Sequence, residues 1–258
     1  MSKEIHSTAV VSKRAKLGKG VVVGPYVVIE DDVKIGDSTV VEAFAKISKF
    51  TEIGKKCHIF SYAAIGGISQ DLKYKETQSF TVIGNHNTIR ECVTINRGTE
   101  TGSKTIIGND NHIMAYSHIA HDCTIGDNCI FANCATLAGY VDVGSRAVIG
   151  GLSAVHQFCR VGVMSIVGGC SKVVQDIPPY SMCDGHPAKV CGLNLVGLRR
   201  AKVSKDLINA LKKTFKIIFF ENHSFDEAAS LVKKEVSSLE EVSHLLEFIT
   251  SSKRGIAR

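Results

Sequence analysis

Every sixth residue from Val11 to Val173 is aliphatic or Phe, save only Asp71, Thr77 and Thr101. In a chain that is 44% hydrophobic overall, one phase held for so long marks a repeat and not chance composition. Two positions before each slot the residue is usually small, as at Ala9, Ala15, Ala45, Ala63, Ser117, Cys123, Cys129, Ala135, Ala147, Ser153, Cys159 and Ser165. Gly often follows the slot, as in Leu17-Gly18, Ile35-Gly36, Ile53-Gly54, Ile125-Gly126 and Val161-Gly162. Two inward positions of different size, then a turn residue, describe a short strand followed by a corner.

Three such six-residue units make a triangular coil of 18 residues with the aliphatic side chains stacked inside. Over residues 5 to about 180 this pattern resembles the hexapeptide-repeat proteins. The resemblance implies a mainly β chain wound as a left-handed parallel β-helix; the spacing itself carries only the period. Two stretches, 66–80 (GGISQDLKYKETQSF) and 97–105 (RGTETGSKT), break the period, and the register resumes after each. Loops thrown out of a regular solenoid often mark its functional side. The repeat is expected to stop near Asp176-Ile177-Pro178-Pro179, because proline cannot continue a strand ladder. Beyond about Gly197 the spacing turns helical, with Ile208, Leu211, Phe215 and Ile218 on one stripe. Ser224 to Glu227 and Ser238 to Glu241 read as capping boxes opening two further helices. The expected domains are a β-helix over 1–190 and a small α-helical C-terminal domain over 191–258.

Composition narrows the setting. No apolar run is long enough to span a membrane, and the N-terminus lacks a secretory signal. Nine cysteines without such a signal read as reduced thiols of a cytoplasmic protein. Cys57, Cys123, Cys129 and Cys159 fall on the small inward slot, where a thiol is a compact filler. No C-x-x-C pair occurs, and neither a metal nor a cofactor is expected. The net charge of +6 is mild but uneven: residues 199 to 216 hold seven Lys and Arg against one Asp. Such a cluster suits an acidic partner, or simply a solvated helix face. No nucleic-acid partner is expected.

Two histidines stand apart. His118 and His121 lie in SHIAHDC outside the inward slots, and His121 should occupy a corner. A coil of 18 residues stacks His121 beneath Gly139 and Gly139 beneath Gln157, with adjacent coils about 4.8 Å apart. A glycine one coil above an imidazole can offer its N–H to a developing oxyanion. Asp122 is a candidate to fix the imidazole tautomer. Base, orienting carboxylate and N–H donor together describe acyl transfer; a surface histidine is the competing reading.

Further motifs extend the resemblance. HIAHDCTIG (118–126), ATLAG (135–139), GLSAVHQF (151–158), VGGCS (167–171), QDIPPY (175–180), GLRR (197–200) and SQDLKY (69–74) resemble the UDP-N-acetylglucosamine O-acyltransferases of lipid A biosynthesis. The similarity runs from residue 5 to 258. It implies transfer of a (3-hydroxy)acyl chain from acyl carrier protein to the 3-hydroxyl of UDP-N-acetylglucosamine by a homotrimer. His121 then matches the general base, Asp122 its orienting carboxylate, and the Gly139 N–H the oxyanion donor. Asp71, Lys73, His118, His156, Gln157, Asn194 and Arg200 match substrate contacts. Gly169 matches the position that limits acyl length, and a glycine there implies a long chain. The basic stretch 199–216 gains an acidic partner in the carrier protein.

The chain departs from the family's pattern at Tyr140, Asn96 and Ala201; none is the proposed base, and together they leave the acceptor group open. An alternative is therefore a related acyltransferase acting on a 3-amino UDP-sugar or another UDP-amino sugar. Relatives that N-acylate UDP-3-O-acyl-glucosamine usually carry an extra N-terminal uridine-binding domain, and here the repeat begins by Ala9. A zinc hydratase on the same scaffold would need three His ligands at an open metal position, which the spacing of His118 and His121 does not match. A structural β-helix or carrier-protein-binding module is the non-enzymatic reading.

Overall fold

The computed structural model describes residues 4–236 and 239–258. Within these, the chain builds three sheets of 11, 9 and 8 strands, most of them two residues long. Successive strands enter the three sheets in rotation, so each pairs in parallel with the strand one coil later. His118–Ile119, for example, lies between Thr94–Ile95 and Thr136–Leu137. The result is a three-sided parallel β-helix whose interior is the aliphatic register. Ile95, Ile119 and Leu137 are fully buried, each such side chain contributing roughly 2 kcal/mol.

The small slot points inward as well. Cys57, Cys123, Cys129 and Cys159 are buried, as expected. Burial pushes the Cys123 thiol up to about 12 and those of Cys129 and Cys159 to about 11, so all three stay protonated fillers.

Corners repeat with the same period. One residue at each takes a left-handed conformation, including Tyr26 (φ 57°), Asp122 (φ 59°) and Phe158 (φ 64°). Left-handed backbone costs a non-glycine residue about 1–2 kcal/mol. At most corners its N–H bonds a carbonyl of the preceding coil, as Tyr140 to His121 at 3.1 Å and Phe158 to Gly139 at 3.2 Å, while Tyr26 and Asp122 donate to the hydroxyls of Thr8 and Thr105. The expected column of 121, 139 and 157 is therefore present.

The two pattern-breaking stretches leave at one edge, between the second and third sheets. Ile65 pairs with Ile95 and Ile95 with Ile119, offsets of 30 and 24 residues in place of 18. The excursions thus add twelve and six residues. Both are whole multiples of the period, which is why the register survives them and why its three polar slots all lie inside them.

The C-terminal end differs from expectation in one respect. Pro178 and Pro179 end the register but not the sheet. Ser181–Gly185 still pairs in parallel with Ile166–Val167, then turns back antiparallel through Ala188–Leu193. The expected division at 190/191 falls within that last strand. Among the described residues four α-helices follow: α1 (Leu195–Arg200), α2 (Lys205–Phe215), α3 (Phe225–Glu235) and α4 (Glu240–Thr250). Ile208, Leu211, Phe215 and Ile218 are buried together. A π-helical turn over Lys216–Phe220 extends α2 and turns three successive apolar residues, Ile217, Ile218 and Phe219, into the core. Ser224 and Glu227 form the expected capping box of α3; Ser238 lies outside the described residues. No helix among the described residues is long and apolar enough to cross a membrane.

Candidate active site

His121 and Asp122 occupy the corner that follows His118–Ile119, on the edge from which both excursions leave. Asp122 takes the left-handed position there, which Asp tolerates better than most residues. Its Oδ2 lies 2.9 Å from His121 Nδ1. A carboxylate only accepts, so Nδ1 carries the hydrogen and Nε2 is left as a base. Asp122 is itself fixed: Oδ2 accepts from Thr99 N–H at 3.0 Å, and its own N–H donates to Thr105 Oγ1 at 2.8 Å.

Gly139 lies directly over the imidazole. A Cβ at that position would fall 2.4 Å from His121 Cε1 and 2.6 Å from Nε2. Only glycine allows this approach. Among the described residues the Gly139 N–H donates to no acceptor within the chain, and neither does the N–H of the equivalent corner residues Ala43 and Gln157. The corner leaves the N–H free wherever no side chain reaches it, as Glu30 Oε2 reaches Lys49 N–H at 3.0 Å in an earlier coil; the missing Cβ is what opens that of Gly139 towards His121.

The remaining surroundings come from neighbouring turns and the first excursion. Asp71 Oδ2 stands 4.0 Å from His121 Nε2, too far for a hydrogen bond, leaving Nε2 open. Asp71 Oδ1 accepts from Lys73 N–H at 2.8 Å, which shapes the tip of that loop, where Lys73 is exposed. His118 Nδ1 meets Thr94 Oγ1 at 2.7 Å, and burial followed by the neighbouring His121 holds its pKa below the usual 6.5. Tyr140 sets its ring edge-on to His121 at 5.3 Å and stacks on Phe158 at 5.0 Å. Burial, then Asp122, raises its phenol pKa. His156 and Gln157 lie one coil beyond Gly139 and are exposed; Arg254, from the C-terminal tail, contacts His156 Nδ1 at 3.2 Å.

One difference from expectation concerns exposure. A bare corner would leave His121 in solvent, yet it is only 7% exposed. The cause is the second excursion, which folds Thr99 over it with Oγ1 2.8 Å from Nδ1. Thr99, Ser69 and Thr105 were not foreseen from sequence, because they sit in or beside the stretches where the periodic ruler fails.

Three expected residues lie on other parts of the chain. Gly169 is on a different, exposed corner beside Gly151, and a side chain added there would meet nothing nearer than 3.4 Å. Asn194 caps α1, accepting from Gly197 N–H at 2.9 Å and donating to Met164 O at 2.8 Å. Arg200 is exposed in the last turn of α1. One chain does not bring these three beside His121.

Comparison with known proteins decides the family. Residues 176–257 match the family described as UDP N-acetylglucosamine O-acyltransferase, domain 2, and residues 14–49 and 104–139 match the bacterial transferase hexapeptide family. An acyl-[acyl-carrier-protein]–UDP-N-acetylglucosamine O-acyltransferase of Thermodesulfovibrio yellowstonii is 51% identical over 256 residues, covering 99% of both chains. The chain belongs to the UDP-N-acetylglucosamine O-acyltransferases. A member from Thiobacillus denitrificans is 47% identical over 98% of this chain and 99% of its own. Among solved structures, the UDP-N-acetylglucosamine acyltransferase of Bacteroides fragilis superposes with a TM-score of 0.97 at 38% identity, over 98% of this chain and 100% of that one. The acyltransferase of Campylobacter jejuni gives 0.93 at 43% identity, over 98% and 99%. The left-handed parallel β-helix with its helical C-terminal part is the fold of this family. Membership also makes the chain an acyltransferase, as the His121 corner suggests.

Proposed function

We propose that this acyltransferase moves an acyl chain from acyl carrier protein to the 3-hydroxyl of UDP-N-acetylglucosamine, the opening step of lipid A synthesis, with His121 as general base. The observation that carries the reading is the His121–Asp122 pair beneath the side-chain-free Gly139. As the sugar hydroxyl attacks the thioester carbonyl, Nε2 takes its proton and the new C–O bond forms. The Gly139 N–H donates to the oxyanion that results. Collapse breaks the C–S bond, and the imidazolium returns its proton to the departing thiolate. Asp122 stabilises the imidazolium through Nδ1–H; a positioned base of this kind contributes typically 10²–10⁴-fold. Asp71, Lys73, His118, His156 and Gln157 line the acceptor's approach.

The same reading accounts for the scattered residues. Gly169, Asn194 and Arg200 reach His121 only from a neighbouring copy, so the working enzyme is a closed homotrimer with its sites between subunits. Exposed Ile68 (59%) and Leu72 (103%) on the first excursion fit that assembly, as apolar surface awaiting cover. A Gly at 169 leaves room for a long acyl chain. In the basic stretch, Lys213 and Lys216 pair with Glu235 and Glu221. Arg199, Arg200, Lys202, Lys205 and Lys212 are left exposed to steer an acidic carrier protein. The enzyme works without metal or cofactor, in the cytoplasm.

The test is to mix the protein with UDP-N-acetylglucosamine and acyl carrier proteins bearing chains of several lengths. We expect 3-O-acylated product, and a loss of at least about 100-fold in His121→Ala. No transfer from any donor overturns the activity. Undiminished transfer by His121→Ala overturns the role of the base.

A further inference from the structure

The two excursions are tied to each other more than to the coil. Arg97 N–H donates to Gly67 O at 2.8 Å, Asn96 Nδ2 to Ile68 O at 2.7 Å, Arg97 Nη2 to the Tyr74 hydroxyl at 2.9 Å, and Gly102 N–H to Gln78 O at 2.9 Å. Thr77 and Ser79 give their hydroxyl hydrogens to the carbonyls of Thr99 and Gly98. The loop that carries Asp71 and Lys73 is therefore held through the loop that carries Thr99.

At the inner end of this contact lies a chain of hydroxyls with few alternatives. Ser69 and Thr99 are 4% and 3% exposed, and their oxygens are 2.8 Å apart. Ser69 Oγ accepts from Asp71 N–H at 3.2 Å. Thr99 Oγ1 lies 2.8 Å from His121 Nδ1, while Thr99 N–H holds the Asp122 oxygen that faces the same nitrogen. With Nδ1–H shared between Asp122 and Thr99, the Thr99 hydroxyl has its own hydrogen left for Ser69. The chain then runs unbroken from the base to the backbone of the acceptor loop.

We infer that Thr99 is a positioning residue for the His121–Asp122 pair, and that Ser69–Thr99 couples the seating of the acceptor loop to the orientation of the base. The inference rests on the reading of His121 as the base. Its substance is that Thr99 acts on turnover and not on sugar affinity, because it touches only the far nitrogen of the imidazole. Seating Asp71 beside the acceptor fixes Ser69, Ser69 fixes the Thr99 hydroxyl, and the hydroxyl fixes the plane of the ring that must meet the attacking oxygen. The arrangement also explains an excursion that the solenoid does not need: six residues suffice to lay one backbone N–H and one hydroxyl against the pair.

The experiment measures kcat and KM for UDP-N-acetylglucosamine in the full-length protein. Thr99→Val, which keeps the shape and removes the hydroxyl, should lower kcat about tenfold with KM changed less than about twofold. Thr99→Ser should restore most of that loss. Ser69→Ala should lower kcat in the same direction, and the Thr99→Val/Ser69→Ala double variant should be no slower than Thr99→Val alone, since the two hydroxyls act as one unit. Wild-type kcat in Thr99→Val, failure of Thr99→Ser to recover, or fully multiplicative losses in the double variant would each overturn the coupling. His121→Ala measured alongside separates this from the parent reading. Surviving activity there removes the base itself, whereas its loss beside an unimpaired Thr99→Val removes only the hydroxyl chain.

Discussion

At Gly139 a single missing carbon decides whether the corner can work. The N–H it offers is also free at the corners of Ala43 and Gln157, but here a Cβ would stand 2.4 Å from the imidazole and force His121 aside. Gly139→Ala keeps the N–H and the backbone conformation, so its effect isolates the close approach. We expect kcat to fall about 100-fold, because a base displaced by even 1 Å loses its in-line relation to the attacking oxygen. Wild-type turnover in Gly139→Ala would show that the ring has room to spare. Asp122 illustrates the same economy of position. The corner demands a left-handed residue, and the one side chain that both tolerates it and orients an imidazole sits there.

At the scale of elements, the C-terminal tail is fastened to the last coil through one buried carboxylate. Asp176, 1% exposed, accepts from Arg160 N–H at 2.8 Å, from Arg160 Nε at 2.9 Å and from Ser252 Oγ at 2.8 Å. Its backbone bonds Gly255 O and Ala257 N–H, while Arg160 reaches Phe248 O at 2.8 Å and stacks over the Phe248 ring. Asp176→Ala should cost about 3 kcal/mol in chemical denaturation, since removing one partner of a buried pair leaves the other uncompensated. It should also expose the segment after α4 to proteolysis; an unchanged midpoint would mean that the helices hold the tail unaided. None of this was legible in the sequence, where Asp176 to Pro179 read as a terminator and QDIPPY as a family motif, neither of which shows what the Asp176 carboxylate holds. The strands, the corner column and the His121–Asp122 pair were legible because they obey a period, and a period turns sequence separation into distance. Ser69, Thr99 and Asp176 were not, because they bond from loop to loop or loop to coil across separations that no repeat sets.

The whole molecule is a prism whose three edges differ in chemistry. One is polar from Ser38 through Lys56, His86, Asp110, Asn128 and Arg146 at its left-handed positions, until Met164 and Tyr180 meet the core of the C-terminal helices. A second carries Asp122 and the two excursions. The third runs Tyr26, Phe44, Tyr62, Cys92, Tyr116, Cys134, Leu152 and Cys170, each N–H bonded to the coil before it from Phe44 onward. Along it the first three rings stack at 5.0 Å, and Tyr116 and Leu152 are 64% and 67% exposed. A ridge of this length is too apolar to stay in water, and Gly169 sits on it. In the assembly we propose, the apolar edge of one copy lies against the reactive edge of the next, which brings Gly169 towards His121. Such a head-to-tail contact between unlike surfaces must close into a ring or grow without limit. Leu152→Asp with Tyr116→Asp tests the idea cleanly, because Asp is at ease in the left-handed backbone of both sites (φ 57° and 63°) and should leave each coil intact. We expect the wild type to elute as a trimer, and the variant to keep the wild-type circular dichroism, to elute as a monomer and to lose acyl transfer with the assembly. A trimer that survives both charges, with activity intact, would place the subunit contact on another face of the prism.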